Sequence, residues 1–154
     1  MSVLKSTASL VAAIGLLVSP AVAQKLGGSS ANLKPGQWSA TIDFDVNGQK
    51  FSESMTDCMS ATEASHSYAT LIEEFAGGMD CDATVTASGL ISTTFTLSGC
   101  TGSIAGGTLT MTRKSDEKMT IGGDMQIKNN TGGIIQAKQT TVMSYQKAIC
   151  DSPS

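Results

Sequence analysis

The sequence predicts a mainly β (α+β) fold: a curved antiparallel β-meander of about seven strands, bending towards a barrel, with one covering helix and two disulfides. Three observations carry this reading. Strand-length runs of alternating apolar and polar residues recur along the chain, and short turn clusters separate them. Only one stretch has helical periodicity with a helix start signal, and an even set of cysteines follows an export-type leader.

The leader comes first. A lone Lys5, an apolar run from Leu10 to Val18 and then Ser19-Pro20-Ala21-Val22-Ala23 describe a cleavable secretory signal peptide over residues 1–23, cut before Gln24. Residues 24–32 are Gly/Ser-rich and aperiodic, the composition of a flexible stub. Residues 33–150 read as a single β-rich domain, and residues 151–154 as a tail.

Within that domain Trp38, Ala40, Ile42, Phe44 and Val46 alternate with Ser39, Thr41, Asp43 and Asp45, which is the pattern of a half-buried strand. Asn47-Gly48 then signals a type I′ hairpin, because both central positions need positive φ. Folding about that turn sets Phe44 opposite Phe51, Ala40 opposite Met55 and Asp45 opposite Lys50, which is consistent on both faces. Ser60-Ala61-Thr62-Glu63 is a capping box, and Ala64, Tyr68, Leu71, Ile72 and Phe75 form the apolar stripe of a helix ended by Gly77-Gly78. Five more strands follow: Cys81 to Ala87, Ile91 to Gly99, Ile104 to Arg113, Lys118 to Ile127 and Ile134 to Tyr145. Their short connections imply antiparallel neighbours, and Gly106-Gly107 and Gly122-Gly123 read as bulges or bends.

Composition narrows function by exclusion. A net charge of -3 and a pI near 5.0 leave no basic surplus to neutralise phosphates, so nucleic acid is not an expected partner. After the leader no apolar run approaches the roughly 20 residues of a membrane helix, so the cleaved chain is not expected to span a membrane. The expected location is periplasmic or secreted. Only 5% of the chain is aromatic, and a core of small aliphatic groups and methionines gains from crosslinks. Cys58, Cys81, Cys100 and Cys150 allow three pairings. Cys81 and Cys100 flank one hairpin at Ser88-Gly89 and so meet at its open end, which leaves Cys58 for Cys150.

Leu33-Lys34-Pro35-Gly36-Gln37-Trp38, Thr56-Asp57-Cys58-Met59-Ser60, Met79-Asp80-Cys81, Ser98-Gly99-Cys100, the Gly-rich Met strands around Met111 and Met125, and the final Cys150 resemble a bacterial exported family known as domain of unknown function 3617. The resemblance covers essentially the whole cleaved chain. It implies export in a Gram-negative bacterium and brings no catalytic or binding residues with it.

Several constellations invite a chemical reading. Asp43-x-Asp45-x-Asn47-Gly48 matches the first half of a calcium loop, yet the twelfth position is Ser54 and the flanks are strands, so a solvated hairpin face is expected. His66, between Ser65 and Ser67, is expected as an exposed helix residue without a triad, and Glu73-Glu74 as a water-facing pair. The methionines lack the tight spacing of copper sites and suit a core or the wall of a flexible apolar cavity. No catalytic residue, cofactor or metal is therefore expected, and Trp38, Met111 and Met125 are the candidate lining of a pocket. The functional expectation is a non-enzymatic exported protein that binds a small apolar or amphipathic ligand, or an envelope component. The alternative is a structural or protein-interaction module of the envelope without a ligand pocket.

Overall fold

Positive φ at Asn47 (54°) and Gly48 (84°) turns the chain back on itself, and the first hairpin forms in the register that the alternation dictates. Strands β1 (Gly36–Val46) and β2 (Gln49–Met59) pair with Phe44 opposite Phe51, Ala40 opposite Met55 and Asp45 opposite Lys50. The computed structural model describes residues 28–151; the expected signal peptide, residues 24–27 of the stub and residues 152–154 of the tail lie outside them.

The helical stretch begins as expected and then departs from expectation. Ser60 caps a single turn, α1 (Ala61–Ala64): its Oγ accepts from the Glu63 amide, and Glu63 Oε2 accepts from the Ser60 amide. Instead of one helix running to Phe75, the chain breaks at Ser65–Ser67 and restarts as α2 (Tyr68–Gly77), with Ser67 Oγ accepting from the Thr70 amide. The break has a backbone cause. Ala31 donates to the His66 carbonyl, Tyr68 donates to the Ser29 carbonyl, and Ser30 bridges to Ser67, so the linker pairs with an incoming strand-like segment. That segment belongs to the expected flexible stub, yet Ala31 is fully buried.

Strands β3 (Asp82–Ser88), β4 (Ser92–Ser98), β5 (Ile104–Ser115), β6 (Lys118–Lys128) and β7 (Ile134–Lys147) follow the expected boundaries within a few residues. They form one antiparallel sheet in the order β2-β1-β7-β6-β5-β4-β3. The order corrects the simple meander, because β1 leaves β2 on its outer side and takes the last strand, β7, as its inner neighbour. The barrel-like closure is corrected too: among the described residues β2 and β3 remain free edges, and the chain passes from one to the other through α1 and α2 instead of a hydrogen-bonded seam.

Alternation sorts the two faces. Trp38, Phe95, Leu97, Leu109, Met111, Met119, Ile121 and Met125 point to the covered face, where Tyr68, Leu71 and Ile72 of α2 meet them. The opposite face carries threonines and a row of alternating charge across four strands, Lys50–Asp45–Lys138–Asp124, which favours this register over a slipped one. A bulge does occur beside Gly106, but register is continuous through Gly122-Gly123. There glycine permits close approach: a Cβ on Gly123 would lie 2.2 Å from the Thr108 carbonyl oxygen.

Both expected disulfides are present, Cys58–Cys150 closing 92 residues and Cys81–Cys100 closing 19. No cysteine is free among the described residues. Crosslinks of this kind are the mark of an oxidising, extracytoplasmic compartment.

Candidate functional site

Helix α2 packs on β3 and β4, at one end of the sheet. Towards the other end the covered face is not filled, and a cavity of about 250 Å³ opens between the helices and the sheet. Its floor is built by strand parity. Met111 of β5, Met119 and Ile121 of β6, Met143 of β7 and Trp38 of β1 all project from the same face. Met119 and Met143 are direct cross-strand partners, as are Met111 and Ile121. Leu71 and Phe75 of α2 supply the roof, and Met59 at the end of β2 closes one side. Thioethers are polarisable and unbranched, so a wall with four of them adapts to more than one shape of occupant.

The mouth has a different character. Asp57 of β2, Glu63 of α1 and Glu74 of α2 line it, and no lysine or arginine does. Each carboxylate has a local anchor. Asp57 Oδ1 accepts from the Cys58 amide at 2.7 Å, and Glu74 Oε1 lies 3.1 Å from His66 Nδ1. The Ser60 hydroxyl and amide hold the Glu63 carboxyl below its usual range, so it is ionised at neutral pH. Trp38 is fixed from behind: its Nε1 donates to the Lys34 carbonyl at 2.9 Å, and its ring meets Tyr145 edge-on.

Of the residues expected to line a pocket, Trp38 and Met111 do so. Met125 lies further along β6, opposite Gly107, buried in the core and outside the cavity wall. Sequence reasoning missed Met143, Met59 and the acidic mouth; the signal for Met143 was its place opposite Met119, visible only once β7 is known to lie between β6 and β1.

The other constellations fall elsewhere. Asp43 and Asp45 border a shallow groove shared with Lys50 and Lys138, and Asp45 Oδ1 accepts from the Gly48 amide, so Asp45 serves the turn. Among the described residues no group of three or more His, Cys, Asp and Glu side chains could hold a metal ion. His66 sits in the linker between the helices, not on a helix, and its side chain is only 24% exposed. Glu73 and Glu74 are both exposed, and Glu74 alone borders the cavity. No helix among the described residues is long and apolar enough to cross a membrane. No family model, curated protein or solved structure matches this chain.

Proposed function

We propose that this protein is a non-enzymatic, exported member of the domain of unknown function 3617 family, periplasmic or secreted, that binds a small apolar or amphipathic molecule. The observation that carries the reading is the open cavity of about 250 Å³ floored by Trp38, Met111, Met119, Ile121 and Met143. A folded domain with so modest a core fills its interior unless an opening is kept for an occupant. The non-enzymatic reading is supported by the chemistry at the cavity: its one cysteine is held in a disulfide, and His66 faces Glu74. The leader and the two disulfides support the location.

The test is a native mass spectrum of protein purified from periplasm, beside titration with a neutral apolar fluorophore. Bound mass that organic solvent extracts, and fluorophore binding weakened several-fold by Met143→Gln, are expected. A bare mass together with no fluorophore binding would overturn the reading.

A second reading is favoured by β2. This free edge exposes Phe51 (57%) and Met55 (48%) on the covered-face side, and it offers unpaired backbone groups to a partner strand. In that case the protein is an interaction module, and Phe51→Lys with Met55→Lys abolishes capture of an envelope partner while leaving fluorophore binding intact.

A further inference from the structure

The charge around the cavity selects among amphipathic ligands. We infer that the occupant is a cationic amphiphile, an apolar body carrying an ammonium-type head. The inference rests on the cavity being a binding site and adds the sign of the ligand's charge. Its argument is complementarity between two zones of one opening. The floor is thioether and hydrocarbon, which rewards burial of an alkyl or ring system. The mouth carries Asp57, Glu63 and Glu74, from three different elements, with no cationic side chain among the lining residues.

Two lysines are already held in ion pairs. Lys34 Nζ is 2.6 Å from Glu117 Oε1, and Lys147 Nζ is 2.5 Å from Asp151 Oδ1. Arg113 of β5 stands opposite Met119 of β6 with its Nε buried, but it is not among the residues that line the cavity. His66 touches the mouth through Glu74, its Nδ1 3.1 Å from Glu74 Oε1. An anionic head placed there would meet like charge beside a low-dielectric wall, whereas a cation gains from the carboxylates.

The experiment uses the full disulfide-bonded protein at low ionic strength. Three octyl probes of one chain length are titrated by calorimetry: octyltrimethylammonium, 1-octanol and octanoate. The expected order is ammonium tightest and octanoate weakest, with roughly tenfold or more between them, narrowing as salt is raised past about 0.1 M. Asp57→Asn with Glu74→Gln, both at exposed positions, lowers the ratio of octyltrimethylammonium to 1-octanol affinity several-fold. Equal or tighter binding of octanoate, or a preference that survives the double substitution, overturns the inference while the cavity remains a binding site. Failure of all three probes to bind overturns the binding reading itself.

Discussion

The Trp38 ring meets the Tyr145 ring edge-on at 6.0 Å between centroids and 74° between planes, joining the first strand to the last. Lys34 Nζ lies 5.7 Å from the centre of the same tyrosine, so indole, phenol and ammonium form one stack at the junction of β1 and β7. The contact holds the sole tryptophan of the chain against the cavity wall.

Because Trp38 is both buried and at the cavity, its emission reports occupancy. Titration with octyltrimethylammonium shifts or quenches Trp38 fluorescence saturably, and Trp38→Phe loses the signal. Trp38→Ala costs about 3–5 kcal/mol in a denaturant melt, since it removes the ring from both the stack and the core. An emission spectrum unmoved by a probe that calorimetry shows to bind would place the probe elsewhere.

The two crosslinks differ in the length of chain they close. In the chain-entropy account the 92-residue loop of Cys58–Cys150 is worth about 4–5 kcal/mol and the 19-residue loop of Cys81–Cys100 about 3 kcal/mol. Paired Ser substitutions at Cys58 and Cys150 therefore lower the melting temperature more than those at Cys81 and Cys100. Differential scanning calorimetry of the two variants checks the order, and the reverse order would count against loop closure as the main contribution.

Two glycines separate packing from propensity. Gly123→Ala forces a Cβ towards the Thr108 carbonyl in the middle of the sheet and destabilises by at least about 1–3 kcal/mol. Gly77→Ala, at the end of α2 with open space around the new methyl, is neutral or stabilises by up to about 1 kcal/mol. Urea unfolding of both variants makes the comparison.

The capping box gives a pH signature. Folding lowers the Glu63 pKa from 4.5, so its contribution is complete above the unfolded value and is lost as pH falls through the lower folded value. Ser60→Ala costs about 1 kcal/mol at neutral pH. Glu63→Gln flattens the acid limb of stability against pH below about 4.5. An acid limb identical to that of the unmodified protein would remove Glu63 from the account.

Tyr68 behaves oppositely to most buried tyrosines. Its ring is fully buried and its hydroxyl has no hydrogen-bond partner among the described residues, so Tyr68→Phe holds or raises stability, within about 1 kcal/mol. Burial also pushes its phenol above the ordinary value of 10.0, so that preference for the neutral form is lost only in strong alkali, above the folded value. A loss of more than about 1 kcal/mol on substitution would reveal a partner for the hydroxyl.

Legibility in the sequence followed the range of the interactions. The β1–β2 hairpin was readable to the residue because Asn47-Gly48 and the alternation act within a dozen positions. The same holds for the Ser60 cap and for Cys81–Cys100 across one turn. Pairing of β1 with β7 spans a hundred positions, and nothing local in Trp38 or Tyr145 announces it. The helix break at Ser65–Ser67 escaped for a related reason: its cause is the distant Ser29–Ala31 segment, which overrides a continuous apolar stripe. For the site, parity placed Trp38 and Met111 on one face, but only strand order brought Met143 beside Met119 and left Met125 out.

The two free borders of the sheet are also where its crosslinks sit, one on β2 at Cys58 and one just before β3 at Cys81. Sheets ordinarily breathe from their borders inward, and peripheral amides exchange long before central ones. Here the first bond ties β2 across β1 to the chain beyond β7, and the second clasps β3 to the end of β4. Peeling from either side is opposed by a covalent bond, so the outer hairpins are expected to open more slowly than uncrosslinked borders do. In an oxidising compartment, where such bonds endure, the fold offers a protease no first loose end at either border.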